Sequence, residues 1–283
     1  MDRRRFSVLA SAAFASLATA PELVAHQSTP ETGSLLTLAV EMTDSALVVP
    51  EQISAGLTEL TVSNTGTNPA THWLMARMPP DKTADEIDEF FAASGDTEAI
   101  RFEDLGFVGV PDWPAPGGSV TGVVNLLPGV YGLLDVFGGR GMARTEAIGD
   151  PPAVGEPASD VIVTLKDMII DLPDSAFTTE PRRWRIDNIG SIPHDVAVVP
   201  VSDDLTEEDL LWLLSLPDDA TPTPDGPWID YQPLTAIGVL AAGQTSWLDV
   251  ELASGRYVAI CMLPFGTGYP HAMDGMLVFF DVA

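Results

Sequence analysis

Cysteine, histidine and basic side chains are all scarce in this chain of 283 residues. Because Cys261 is the only cysteine, no intramolecular disulfide can form, and the fold must be stabilised by its own core. Lysine and arginine total 13 against 41 aspartates and glutamates, which gives a formal net charge of −28. A surface of that sign repels phosphate backbones, so we expect no nucleic-acid partner.

The apolar segment at the N-terminus is short. Three arginines at 3–5 precede an apolar run of small residues over 6–20, which is too short to span a bilayer comfortably. This order predicts a secretory signal over 1–25, cleaved after Ala25, and it is similar to the twin-arginine pattern. We therefore expect export to the periplasm or the extracellular space, with no stable membrane span after processing. An uncleaved anchor is the alternative.

Two segments of the chain, 35–148 and 159–283, repeat one pattern. An Asn-x-Gly sequence followed by proline and histidine occurs at 64–72 and again at 188–194. Three further residues recur at a constant offset of 126 positions, namely Gly117, Gly129 and Tyr131, which match Gly243, Gly255 and Tyr257. A shared order and a constant offset predict a duplicated domain, with the Pro- and Gly-rich stretch 149–158 as the linker.

Most other segments have the character of strands. They are short, β-branched or apolar, and bounded by Gly, Pro, Asn or Asp. The predicted strands are Leu35–Val40, Leu57–Val62, Val120–Leu126, Val161–Leu165, Trp184–Ile186, Ser246–Leu252 and Met276–Val282. Capping patterns at Thr83 and Thr206 predict one helix in each repeat. Together these features predict an all-β protein of two β-sandwiches, each with an inserted helix.

Four side chains suited to a soft metal lie in the second repeat. Cys261 ends a predicted strand, His271 follows in the loop, Met276 starts the next strand, and His194 lies upstream. Two imidazoles, a thiolate and a thioether suit copper that cycles between Cu(I) and Cu(II). Structural zinc more often recruits further cysteines, and calcium or magnesium prefers oxygen. The alternative is a buried cysteine, a core methionine and a strand-end histidine that coincide in this pattern.

The ligand pattern resembles the tandem cupredoxin family of exported bacterial proteins. The resemblance rests on Asn-x-Gly and Pro-His at 188–194 and on the cysteine and Pro-His-x-x-x-Gly-Met sequence within 255–276. It implies Greek-key β-sandwiches and a type-1, or blue, copper site for outer-sphere electron transfer. It also implies that His194, Cys261 and His271 are the equatorial ligands and Met276 the axial one. The loop between the cysteine and the second histidine is longer than is usual in small blue-copper proteins.

The first repeat lacks the complete ligand set. At the offset of 126, Asp135 stands where Cys261 stands, and no histidine lies between Asp135 and Met142. Only His72 and Met142 remain as counterparts of the other ligands. This set is too hard and too sparse for type-1 copper, so we expect a structural or partner-facing domain. We expect His72 to be a hydrogen-bonded residue at a strand end.

Histidine is also too scarce for catalytic copper. The trinuclear cluster of multicopper oxidases needs paired His-x-His motifs, and copper nitrite reductases need three further histidines. Apart from the predicted ligands and His26 at the signal junction, only His72 remains available. Nucleophile-elbow, P-loop and His-Glu-x-x-His motifs are missing. We therefore expect an electron carrier, not an enzyme, with an acidic surface that steers it towards a basic redox partner. The alternative is a non-redox cupredoxin-like module that stores or delivers copper or binds another protein.

Overall fold

The computed structural model describes residues 34–68, 72–92, 100–136, 140–216, 233–264 and 269–283. The predicted export signal over 1–25 lies outside these residues. The strands are β1 Leu36–Met42, β2 Leu47–Val48, β3 Gln52–Ser54, β4 Gly56–Asn64, β5 Trp73–Arg77, β6 Gly106–Phe107, β7 Pro111–Asp112, β8 Ser119–Leu126, β9 Gly129–Asp135, β10 Ala143–Ile148, β11 Val161–Lys166, β12 Ile169–Asp171, β13 Arg182–Asn188, β14 His194–Val201, β15 Thr235–Leu240, β16 Thr245–Val250, β17 Gly255–Ile260 and β18 Leu277–Val282. The helices are α1 Ala84–Ala92 and α2 Glu207–Ser215. Within the described part of the chain, no helix is long and apolar enough to cross a membrane.

The strands form two β-sandwiches that share one sheet. The shared sheet has eight strands in the order β12-β11-β13-β16-β8-β4-β1-β2. A five-stranded sheet of order β3-β10-β9-β5-β6 packs on the β8-β4-β1-β2 half of this sheet, and one of order β18-β17-β14-β15-β7 packs on the β12-β11-β13-β16 half. Along β4, buried positions alternate with half-buried ones, as expected for a strand with one face in the core. The predicted all-β fold with one helix in each repeat is confirmed.

Local sequence patterns account for most of these elements. The seven predicted strands correspond to β1, β4, β8, β11, β13, β16 and β18. Helix α2 begins with a capping box in which Thr206 and Asp209 bond each other's main-chain N–H, and Thr83 and Glu86 do the same before α1. Strands β9, β10 and β15 escaped prediction, as did the short strands β2, β3, β6, β7 and β12. Two of them, β9 and β15, contain internal glycines, which weaken the β-branched pattern that identifies a strand.

The two halves of the molecule pair through equivalent strands. In the antiparallel pair of β8 and β16, Gly122 lies opposite Leu248, and in the pair of β7 and β15, Pro111 lies opposite Ile237. The two residues of each pair stand 126 positions apart in the chain, so each strand pairs with its counterpart in the other half. Antiparallel pairing of equivalent residues is the arrangement found in a symmetric dimer. The halves are therefore related by an approximate two-fold axis that passes through both pairs.

Apolar packing continues across the contact between the halves. Side chains of β5 and β6 belong to the same buried cluster as β15 and the core of the second half. A Cβ atom on Gly122 would lie 2.6 Å from the carbonyl oxygen of Trp247, so glycine permits this close pairing of strands. Within the described residues no helix or strand lies between Ile148 and Val161, where the linker is predicted. The division into domains at 149–158 stays a prediction, because the halves share a sheet.

Candidate metal centre

The turn that precedes His194 is built by an asparagine side chain. Asn188 Oδ1 accepts a hydrogen bond of 3.0 Å from the Gly190 N–H, and Asn188 Nδ2 donates to two main-chain carbonyls at 2.9 Å. Asn64 makes the equivalent bonds in the first half. The repeated Asn-x-Gly motif therefore fixes a turn in both halves. In the second half this turn leads to His194 at the first residue of β14.

Main-chain hydrogen bonds tie the other three predicted ligands together. Cys261 follows β17, and His271 opens a 3₁₀ turn that Gly275 ends with a left-handed φ of 95°. The Cys261 N–H donates to the Met276 carbonyl at 3.1 Å, and the Met276 N–H donates to the His271 carbonyl at 3.1 Å. These bonds set the three residues side by side, although residues 265–268 of the connecting loop lie outside the described part.

Three donor atoms meet in the interior of the second half. His194 Nδ1 lies 3.1 Å from His271 Nδ1, which lies 3.4 Å from Cys261 Sγ. The ligand atoms of these three residues all lie within 4.8 Å of one another, and all three side chains are fully buried. Met276 is also fully buried, in the same apolar cluster as Cys261. The structure thus brings three predicted ligands together through their donor atoms and Met276 through its main chain.

Burial disfavours the charged forms of His194 and Cys261 in the metal-free chain. Together with a smaller effect of the neighbouring His271, it lowers the pKa of His194 to about 4. Burial also raises the pKa of the Cys261 thiol well above its ordinary value, and the charge of Asp195 adds to that rise. A metal ion must displace the thiol proton to bind a thiolate, so metal affinity is expected to rise with pH.

The donor set fits a soft metal ion. It consists of two imidazoles and a thiol, with no carboxylate among the three clustered donors. His194 Nε2 is buried and has no hydrogen-bond partner among the described residues, so the ring's polar contacts are with the cluster. Within the part of the chain that the structure describes, this is the one group of three His, Cys, Asp or Glu side chains close enough to hold a metal. Such a set suits copper, with zinc as the other ion of this class.

Strand register tests which residues of the two halves are equivalent. Tyr131 and Tyr257 each donate a hydrogen bond of 2.9 Å to the carbonyl four residues earlier, which supports the offset of 126 between β9 and β17. This alignment sets Asp135 level with Cys261, as the sequence predicts. In the first half Asp135 pairs with Trp73. The pairings of β5 and β10 with β9 therefore decide the positions of the remaining counterparts.

His72 does not occupy the position of His194. The pairing of β14 with β17 sets Ala197 opposite Ile260, so the residue level with His72 is Asp195. By this register His72, which the sequence pattern aligns with His194, lies one residue further along its strand. A shift of one residue along a strand turns a side chain to the other face of the sheet.

Met142 is displaced in the same way. Ala143 pairs with Leu133 in the first half, while Val278 pairs with the equivalent residue Ala259 in the second. Met142 is therefore level with Leu277, and Gly141 takes the position of Met276. By strand register, therefore, neither His72 nor Met142 stands level with a ligand position of the second half.

A buried ion pair lies where the first half would need a metal ligand. Arg140 Nη1 donates to Asp135 Oδ2 at 3.0 Å, and both side chains are almost fully buried. Arg140 Nε also donates to the Thr43 carbonyl. The guanidinium therefore balances the carboxylate that replaces Cys261. Sequence analysis missed this pair, because no local sequence pattern links an arginine to an aspartate five residues earlier.

His72 is hydrogen-bonded at a strand end, as expected. Its Nδ1 contacts Asp112 Oδ2, and its ring stacks on Trp113 with a centroid separation of 5.9 Å. Burial opposes protonation of the ring, but the charge of Asp112 and the hydrogen bond outweigh it and raise the pKa of His72. His72 therefore serves the packing of the first half.

One residue of the site went unnoticed in the sequence. Asp195 directly follows His194, is only 8% exposed, and accepts a hydrogen bond of 2.8 Å from the Met262 N–H. Its place directly after a predicted ligand was the available signal.

Comparison with known proteins finds remote structural similarity. No protein-family model and no curated protein matches the chain. A reduced auracyanin from Roseiflexus castenholzii is 18% identical, with 43% of this chain and 94% of that chain covered and a TM-score of 0.29. Auracyanin B is 20% identical, with coverages of 46% and 91% and a TM-score of 0.30. A Cu-containing nitrite reductase from Thermus scotoductus is 10% identical, with coverages of 88% and 61% and a TM-score of 0.23. These TM-scores are too low to support an argument about the fold, which rests instead on strand order and register.

Proposed function

We propose that this protein is an exported copper-binding electron carrier whose ligands are His194, Cys261, His271 and Met276. The observation that carries the proposal is the buried cluster of two imidazole nitrogens and one thiol sulfur, all within 4.8 Å. Copper bound to these donors would supply one-electron transfer between Cu(I) and Cu(II). The type-1 character is part of the proposal.

The surroundings of the cluster favour electron transfer over catalysis. The three donor side chains are fully buried. Among the described residues, therefore, no opening would bring a substrate into contact with a metal held between these donors. Electron transfer needs no such contact. The hydrogen bonds among Cys261, His271 and Met276 keep the ligand segments in one arrangement, which suits a centre that changes charge but not ligands.

Charge suggests the kind of partner. With a formal net charge of −28, the molecule attracts proteins that carry a basic surface. We propose a redox partner of that kind, and association with it should weaken as salt screens the attraction. Export to the periplasm or beyond is part of the same proposal and rests on the N-terminal pattern.

The first experiment is a titration of the purified chain with Cu(II), followed by visible absorption. We expect one equivalent of copper to produce an intense thiolate-to-copper band. Cys261→Ser should abolish the band, because serine offers no thiolate. His72→Gln is the matched control: it also removes a histidine, but one that lies outside the donor cluster, so the band should persist.

Two results would contradict the proposal. Copper bound without a band that depends on Cys261 would point to storage or delivery in place of electron transfer. A chain that binds no copper would leave the buried cluster without a metal function, and recognition of another protein would become the better hypothesis.

A further inference from the structure

Helix α2 packs against the 3₁₀ turn that carries His271. Leu210 of the helix and Ala272, the residue after His271, are fully buried in one apolar cluster. Two further leucines of the helix, Leu213 and Leu214, are partly buried against the same cluster. The turn therefore cannot leave its position without exposing apolar surface that α2 now covers.

The same cluster includes the strands that lead to the other two clustered donors. Val199 belongs to β14, which begins at His194, and Ile260 belongs to β17, which Cys261 follows. Along β17 the side chains of this cluster alternate with those of the core, to which Cys261 belongs, so α2 lies on the outer face of the sheet. One apolar cluster thus joins α2 to all three segments that carry the clustered donors.

Main-chain hydrogen bonds fasten the turn to the cysteine segment. The Ala272 N–H donates to the Cys261 carbonyl at 3.0 Å, and the His271 N–H donates to the Leu263 carbonyl at 3.1 Å. Because the side chains of Cys261 and both histidines of the donor cluster are fully buried, a metal ion or a reagent reaches them only after part of this structure opens.

Helix α2 is suited to open locally. It has nine residues, and a helix of that length is not stable by itself but depends on its packing. A capping box holds its first turn, whereas its last turn carries no basic residue to interact with the helix dipole. Local opening of such an element requires less free energy than unfolding of the whole molecule.

We propose that α2 holds the His271 turn in place, and that the helix and the turn open together to admit and release copper. This inference rests on the copper binding proposed above. With α2 packed, the donors are closed off from solvent. When α2 moves away, the contact between Leu210 and the turn is lost, and the turn can separate from Cys261. Packing of α2 therefore controls the rate of metal exchange.

The first test needs no copper, because Cys261 is the only cysteine of the chain and is buried. Alkylation of the metal-free full chain by iodoacetamide, followed by mass spectrometry, measures how often the donor cluster opens. In Leu210→Ala we expect the alkylation rate to rise at least about tenfold, because the packing between helix and turn is removed. Leu213→Ala removes a partly buried side chain of α2, so it should give a smaller rise and provides the test if Leu210→Ala does not fold.

Ile87→Ala is the matched control. Ile87 is buried in α1, the helix of the first repeat, and none of the four predicted ligands lies in that half. Both substitutions remove a buried aliphatic side chain from a helix and lower the stability of the whole molecule. The alkylation rate of Ile87→Ala should nevertheless stay within about twofold of the wild-type rate, because the opening near Cys261 is local.

The second test follows copper directly. The copper-loaded full chain is mixed with excess EDTA, and loss of the thiolate-to-copper band measures copper release. In Leu210→Ala we expect release to accelerate by about the same factor as alkylation, since both need the same opening. The band should keep its position, because the four proposed ligands are unchanged.

The outcomes separate this inference from the proposed function. If the wild-type chain shows the copper band but Leu210→Ala, or Leu213→Ala in its place, reacts and releases copper no faster than the wild type or Ile87→Ala, the inference is overturned and copper binding stands. If the wild-type chain takes up no copper, the proposed function fails and the inference about copper exchange fails with it.

Discussion

Equivalent positions of the two halves hold different chemistry at the scale of single residues. Cys261 lies against two imidazoles, whereas Asp135 lies against the guanidinium of Arg140. In the first half a cation that belongs to the chain thus balances the side chain that replaces the cysteine. A buried carboxylate left without that cation would be costly.

Removal of Arg140 is therefore expected to destabilise the protein strongly. Arg140→Met should lower the free energy of unfolding by about 3–5 kcal/mol, because the buried carboxylate of Asp135 would lose the guanidinium that balances it. Urea unfolding followed by tryptophan fluorescence measures the change. The double variant Asp135→Leu with Arg140→Met should recover most of the loss, since it leaves no buried charge.

An exposed ion pair provides the control for this prediction. Arg144 and Asp88 are 3.1 Å apart with 45% and 66% of their side chains exposed. Arg144→Met should change stability little, because solvent screens an exposed pair. Equal losses from Arg140→Met and Arg144→Met would show that the buried pair has no special role.

Pairing between β8 and β16 is the decisive contact at the scale of elements. It joins one sheet of each sandwich into a single eight-stranded sheet and places Gly122 opposite Leu248, its counterpart in the second half. Because the strands approach closely there, a side chain at position 122 would strike the Trp247 carbonyl. The sheet can accommodate it only by separating the strands.

Gly122→Ala is therefore expected to weaken the contact between the halves. A loss of about 1–3 kcal/mol in the free energy of unfolding is typical of overpacking at a tight contact. Hydrogen exchange of the β8 and β16 amides should accelerate in the same variant, because the loosened pair opens more often.

Gly155→Ala serves as the control for this glycine. Gly155 is exposed in the predicted linker, and a Cβ atom there meets nothing within 4 Å. This substitution should leave stability unchanged or raise it slightly. Unchanged exchange at β8 and β16 in Gly122→Ala would contradict the close pairing.

At the scale of the whole molecule, the large negative net charge affects the stability of the fold. Forty-one acidic residues face only 13 lysines and arginines, so self-repulsion opposes the compact state at low salt. Several ion pairs, such as Arg183 with Asp249, relieve a small part of this charge. Mobile cations must screen the remainder.

Added salt is therefore expected to stabilise the protein. The midpoint of thermal unfolding should rise as NaCl increases from about 0.01 M to 0.3 M, because the Debye length falls from roughly 30 Å to well under 10 Å. Differential scanning calorimetry measures the shift. KCl at equal ionic strength should give the same curve, and a midpoint that stays constant or falls would contradict self-repulsion as the cause.

Local and repeated features of the sequence predicted many of the strands, both helices and the candidate ligands. The offset of 126 identified the duplication, the capping residues Thr83 and Thr206 located both helices, and seven strands were predicted near their observed bounds. The identity of the candidate ligands was also accessible, because soft donor types are rare enough in this chain for their order to stand out. Each of these features depends on neighbouring residues or on composition.

Only the tertiary structure decided how those pieces meet. It showed that the halves pair strand to equivalent strand and that His72 and Met142 are one register step away from ligand positions. It also showed that Asp195 accepts a hydrogen bond from the Met262 N–H and that Arg140 pairs with Asp135. Pairing and register depend on contacts between residues far apart in the chain. Because a single step along a strand reverses the face of a side chain, similar sequence patterns in two repeats gave a donor cluster in one and an ion pair in the other.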